Sequence, residues 1–126
     1  MPARQPEECH TQWVEAYNAG DLDQMLTFYE PECVAVAQPG HVVTGTGAIR
    51  QWLQGFLAPQ GAIDLRVRRV LQAGDVALVV SDWTLAGKGS DGSAVNLGGT
   101  STDVVRRQAD GTWRYAIDNP LGIQGV

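Results

Sequence analysis

The sequence predicts an α+β protein, and three observations carry that expectation. Helical spacing of apolar residues is confined to the first 57 or so positions, four extended segments fill the remainder, and turn chemistry marks every boundary between those segments. At 126 residues the chain has the size of one domain, read as a single unit over residues 1–126.

The elements follow in order. Pro6-Glu7-Glu8 opens a helix over about residues 6 to 19, with proline in the first turn and acids at the positive end of the dipole. Cys9, Trp13, Ala16 and Tyr17 recur on its inward face, and Gly20 closes it. Asp21 caps a second, short helix with Leu22, Met25, Leu26 and Tyr29 as its stripe and Pro31 as its stop. Val34 to Ala37 and His41 to Thr44 form a hairpin around Gln38-Pro39-Gly40. Gly45-Thr46-Gly47 leads into a third helix carrying Ile49, Trp52, Leu53, Phe56 and Leu57, ended by Pro59 and Gly61. Strands then run over about 62 to 72, 75 to 87, 93 to 108 and 112 to 119. Ala73-Gly74-Asp75, Ser90-Asp91-Gly92 and Ala109-Asp110-Gly111 turn them into a meander.

Composition excludes several classes. With 44% hydrophobic residues and 4 Trp the chain builds a real core, so disorder is excluded. Nine basic residues against 14 acidic, net −5, with no basic run beyond Arg68-Arg69 or Arg106-Arg107, argue against nucleic acid. No stretch reaches the ~20 apolar residues that span a bilayer, and the start carries no apolar signal segment, so the expectation is a soluble cytoplasmic protein with no membrane partner. Cys9 and Cys33 lack metal-type spacing and read as reduced, partly buried thiols. His10, next to Cys9 on a helix, reads as solvated. Neither a metal nor an organic cofactor is implied. Gly87-Lys88-Gly89-Ser90-Asp91-Gly92 matches the spacing of a dinucleotide loop, but strand-type residues follow it where a helix is required, so it reads as a hairpin tip.

The chemistry-bearing residues are three aspartates set in apolar strands: Asp82, Asp103 and Asp118. Alternation groups Leu78 and Val80 with Asp82, Ser101 and Val105 with Asp103, and Arg114 and Ala116 with Asp118. Convergence of these faces would raise at least one carboxyl pKa and create an acid and a base; the opposite reading is three exposed aspartates paired with Arg66, Arg68 or Arg107. On the last strand, Trp113, Tyr115 and Ile117 form the more apolar face, so patterning alone leaves Asp118 outside. Both faces are buried if helices cover one and a second subunit the other, which predicts a homodimer through the sheet face. Trp13, Tyr17, Tyr29, Trp52 and Phe56 are core aromatics that also suit a ligand cavity.

Tyr17-Asn18-Ala19-Gly20-Asp21-Leu22-Asp23, Tyr29-Glu30-Pro31, Gly45-Thr46-Gly47-Ala48-Ile49 and Asp110-Gly111-Thr112-Trp113-Arg114 together resemble the nuclear transport factor 2-like superfamily. With Ile117-Asp118-Asn119-Pro120, the closest likeness is to SnoaL-like proteins related to ketosteroid isomerase and polyketide cyclases. The resemblance implies a cone: a curved mixed sheet wrapped around three N-terminal helices, a pocket at the wide end and a homodimer. It places Asp103 at the protonated aspartic acid of the isomerase oxyanion hole, Trp13 where its tyrosine stands, and Gln38 where its general base stands. Glutamine takes no proton, so steroid isomerisation is not implied. Asp82 and Asp118 fall on pocket-lining positions, and Arg66 is a conceivable middle member of an epoxide hydrolase-type Asp, Arg, Asp set.

Three functions are therefore weighed. The first is an isomerase- or cyclase-type enzyme acting on a small apolar, ketone-like substrate with Asp103, Asp82 and Asp118 as catalytic groups. Its binding residues are Trp13, Tyr17, Tyr29, Gln38, Trp52, Phe56, Leu78, Val80 and Ser101. The second is a non-catalytic small-molecule-binding homodimer with the same pocket. The third is an interaction module presenting Trp83, Leu85, Trp113 and Tyr115 on an exposed sheet face.

Overall fold

A computed structural model describes residues 3–57, 61–89 and 91–125; Pro59 and Ser90, expected to end a helix and to sit in a hairpin tip, lie outside them. Three helices, α1 (Glu8–Asn18), α2 (Leu22–Leu26) and α3 (Thr46–Leu57), pack on six strands. The strands are β1 (Tyr29–Gln38), β2 (His41–Thr44), β3 (Ala62–Ala73), β4 (Val76–Lys88), β5 (Ala94–Arg107) and β6 (Trp113–Asp118), in sheet order β2-β1-β6-β5-β4-β3. The β1–β6 pair is parallel and all others are antiparallel, giving the mixed, curved, unclosed sheet of an α+β cone. In the dinucleotide-like glycine stretch, Gly87 and Lys88 end β4, Gly89 N–H donates to the Ser93 carbonyl at 2.9 Å, and strand β5 follows instead of a helix.

Local rules account for most boundaries. Gly20, at φ 69°, ends α1, and the Asp21 carboxylate accepts the Gln24 N–H at 3.1 Å to cap α2. Tyr29 departs from expectation: it opens β1 instead of closing α2, and Pro31 lies within that strand. The β1–β6 register slips between Tyr29 and Val34, so proline sits where no ladder hydrogen bond is required of it. The sheet outranks the local stop signal there.

Two irregularities decide which side chains face the helices. Along β4, Ala77, Val79, Ser81, Trp83 and Leu85 are buried on the inner face, leaving Leu78, Val80 and Asp82 outside. On β6, Tyr115 pairs with Val105 but Ile117 pairs with Val104, so Ala116 is an extra residue. This bulge reverses the alternation: Tyr115 and Asp118 both turn inward while Ile117 is 41% exposed. Strict alternation would have put Asp118 on the solvent side. At the chain's end, Asn119 accepts from Thr102 N–H at 2.9 Å, and Gly122, at φ 57°, approaches β5 so closely that a Cβ would meet the Thr100 carbonyl at 2.5 Å.

Candidate active site

A small cavity of about 40 Å³ opens between the helices and the inner sheet face. Its upper wall is apolar, made by Trp52 and Phe56 of α3, Ile63 and Leu65 of β3, Trp83 of β4 and Pro120. Its floor carries His10 and Trp13 of α1 with Ser101, Asp103, Tyr115 and Asp118. Trp52 and Phe56 stand at 76° with ring centres 5.1 Å apart, and Phe56 and Trp83 at 80° and 6.3 Å, so successive walls meet nearly at right angles.

The polar floor is one hydrogen-bonded chain. Trp13 Nε1–H donates to the Tyr29 hydroxyl at 2.9 Å, which donates to Asp118 Oδ2 at 2.7 Å. The Asp118 and Asp103 carboxyls bond to each other. Asp103 also accepts the Asn119 backbone N–H on Oδ1 and bonds His10 Nε2 through Oδ2, each at 2.7 Å. Asp103 and Asp118 are 3% and 8% exposed, so neither charge is relieved by bulk water.

Burial separates the protonation states of this set. It pushes Asp103 up to about 6, while hydrogen bonds from Asp118, Asn119 and Ser101 pull the other way. Asp118 is raised well above the carboxylate range, first by burial and then by repulsion from Asp103. Burial lowers His10 to about 4 against the pull of Asp118. At 2.7 Å the His10–Asp103 contact has ion-pair geometry, but an imidazole titrating near 4 is neutral at pH 7, so it is a hydrogen bond from Nε2–H to a carboxylate. Its Nδ1, buried without a partner, is then a lone pair, cheaper to bury bare than an N–H. The floor thus holds two adjacent carboxyls that both keep their protons more tightly than a solvated carboxylate does, Asp118 through the charge of Asp103 as well as through burial. Cys9 and Cys33 are free and fully buried; burial raises the Cys9 thiol to about 12 and the Cys33 thiol still higher, so neither is a ready nucleophile.

Of the expected site residues, Asp103, Asp118, Trp13, Trp52, Phe56 and Ser101 meet in the cavity, and Tyr29 lies directly beneath it. Tyr17 is core instead: it stacks on Trp13, and its hydroxyl donates to the Phe56 carbonyl. Asp82, Leu78 and Val80 lie on the outer face, with Asp82 accepting from the Thr100 hydroxyl at 2.8 Å and forming an ion pair with Arg68 Nε at 3.4 Å. Gln38 is exposed at the β1–β2 turn, and Arg66, across from Asp82, is exposed as well. Trp83, Leu85, Trp113 and Tyr115 are buried and form no surface. His10, expected in solvent, is 1% exposed. The signal for it was present: seven residues before Tyr17, it stands about 20° from Tyr17 around the helix axis, within the buried stripe. Among the described residues, no group of three or more His, Cys, Asp or Glu is arranged to hold a metal ion, and no helix is long and apolar enough to cross a membrane.

The family described as the SnoaL-like domain matches residues 10–116. No curated protein matches the sequence. Among solved structures, the chain is similar to a ketosteroid isomerase-like protein from Erwinia carotovora atroseptica, at 19% identity over 90% of each chain with a TM-score of 0.77. It is also similar to a protein of Streptomyces avermitilis provisionally named a dehydratase of the nuclear transport factor 2-like family, at 22% identity over 91% of this chain and 96% of that one, TM-score 0.71. A third, a nuclear transport factor 2-like protein with a cystatin-like fold from Novosphingobium aromaticivorans, shares 16% identity over 95% and 80%, TM-score 0.75. At such identities the likeness is one of fold.

Proposed function

This chain belongs to the SnoaL-like domain family, within the nuclear transport factor 2-like superfamily, and from that premise we propose that it is an acid–base enzyme of the isomerase or dehydratase type acting on a small apolar substrate. The observation that carries this reading is the buried Asp103–Asp118 pair at the floor of an apolar cavity, both carboxyls raised by burial and Asp118 further by the charge of Asp103, so that one can hold a proton beside the other. Asp103 takes a proton from a carbon or hydroxyl of the substrate. Asp118, oriented by Tyr29 and through it by Trp13, returns one to an oxygen. His10 and the Asn119 N–H hold Asp103 in place, and the Trp52, Phe56 and Trp83 walls keep water away from both groups.

Solvent deuterium uptake at the α-carbons of a small cyclic ketone such as 2-tetralone tests this reading, read by mass spectrometry. Wild-type protein should accelerate uptake, and Asp103→Asn should lower the rate by about two orders of magnitude or more. An Asp103→Asn protein that exchanges as fast as wild type overturns the assignment.

A non-catalytic binding role is favoured by a separate observation. Both Asp103 oxygens and Asp118 Oδ2 already accept donors from the protein itself, an arrangement suited to holding a ligand. In that case no ketone exchanges, and Asp103→Asn changes affinity alone.

We also propose a homodimer through the outer sheet face. Leu71, Leu78, Val104, Ile117 and Val34 pair in register into one apolar row across five strands, and Leu71 and Ile117 are 51% and 41% exposed. Sedimentation at micromolar concentration should report a dimer, and Ile117→Lys a monomer.

A further inference from the structure

We infer that this cavity takes an organic cation: an amine or quaternary ammonium group carried on a compact apolar body. The inference rests on the cavity being the ligand site, as proposed above, and is independent of proton transfer.

Four N–H donors at the site are already spent on the protein, and the Trp52 indole N–H is the one in the walls without a partner among the described residues. His10 Nε2 and the Asn119 backbone N–H serve Asp103, Trp13 Nε1 serves Tyr29, and Trp83 Nε1 donates to the Pro120 carbonyl at 2.7 Å. Among the described residues, no Lys or Arg lines the cavity. What remains for a ligand is carboxyl lone pairs, the Trp52 indole N–H, the Tyr115 hydroxyl and aromatic faces, the Ser101 hydroxyl already donating to the Ser81 carbonyl at 3.4 Å. Such a surface offers an anion no positive charge, while a cation meets carboxyls and aromatic faces together.

The walls supply the second half of the argument. Trp52, Phe56 and Trp83 form a corner of rings set at 76° and 80° to one another, above a buried carboxyl pair. Ring faces attract a cation through their quadrupole, and more strongly where water is excluded. A carboxylate beneath them gives that cation a counter-charge, which in turn relieves the cost of burying Asp103. A neutral apolar ligand would fill the same volume without that relief.

A matched pair of probes separates charge from shape: (3-hydroxyphenyl)trimethylammonium and its neutral isostere 3-tert-butylphenol. Each is titrated into the full chain, following the indole N–H resonances of Trp52 and Trp83 by NMR. The cation should bind about tenfold tighter or more. Asp103→Asn, nearly isosteric, should bring that ratio close to one, and Phe56→Leu should weaken the cation several-fold more than the phenol. Should the phenol shift the same indoles with equal or better affinity, the cation preference is wrong while the cavity stands as a ligand site. If neither probe moves them, both readings fall. A cation preference unchanged in both variants places the probe elsewhere on this acidic protein and also overturns the inference.

Discussion

Asp103 and Asp82 lie on neighbouring strands of one sheet and face opposite ways. Asp103, on β5, is sealed under a helix with His10 and Asn119 as donors, and burial raises it to about 6. Asp82, on β4, has its side chain 48% exposed and meets Thr100 and Arg68. The residue type and the strand setting are the same, and the two differ only in which side of the sheet they occupy. A carboxyl becomes a candidate acid or base when the fold removes its water and supplies few charges in return; a partnered one in solvent stays a surface group.

That contrast can be broken at several points. The largest expected effect is on proton exchange: Asp103→Asn should lower it about a hundredfold or more, whereas Asp82→Asn should leave it within about twofold. Equal effects from the two variants would erase the distinction.

Stability comes next. His10→Ala removes the Nε2–H donor to a buried carboxylate and leaves a void beside it, and should cost about 3 kcal/mol in urea unfolding. A change under 1 kcal/mol would mean that water replaces the imidazole and that the floor is wetter than its burial implies.

The third test is the pH dependence of stability, whose sign follows from the three shifts. Asp103 and Asp118 are raised, so between about pH 4 and 6 the folded protein holds two protons that the unfolded chain, with carboxyls near 4, has lost. His10 is lowered to about 4, so over the same window the unfolded chain holds one proton that the folded protein lacks. The folded state keeps the net excess of one, and the site's contribution to stability falls as pH rises from about 4 to 6. In Asp118→Asn one excess proton is gone, the Asp103 and His10 contributions oppose each other, and the difference between variant and wild type should change across this window. Urea midpoints at pH 4.5 and 6 measure it; parallel profiles would mean that Asp118 does not titrate abnormally.

The smallest effect belongs to the outer face: Asp82→Asn should alter stability by no more than about 0.5 kcal/mol, because its partner Arg68 is itself exposed. A larger loss would mean that the proposed dimer interface reaches beyond the apolar row and covers Asp82.

The sequence by itself determined the elements and their order. Helical spacing at Cys9, Trp13, Ala16 and Tyr17, the Asp21 cap and the glycine-containing turns act within a few residues, so they can be read along the chain. It also marked Asp103 and Asp118 as carboxyls out of place in apolar strands. Only the tertiary structure decided which carboxyls meet. The outward turn of Asp82 depends on the register of β4 against β5, the inward turn of Asp118 on the single extra residue Ala116, and the burial of His10 on β5 arriving with a carboxylate against α1. Alternation along a strand has a period of two, so one inserted residue exchanges the faces of everything beyond it. Where that insertion falls is settled by pairing partners far away in the chain, which no local pattern records.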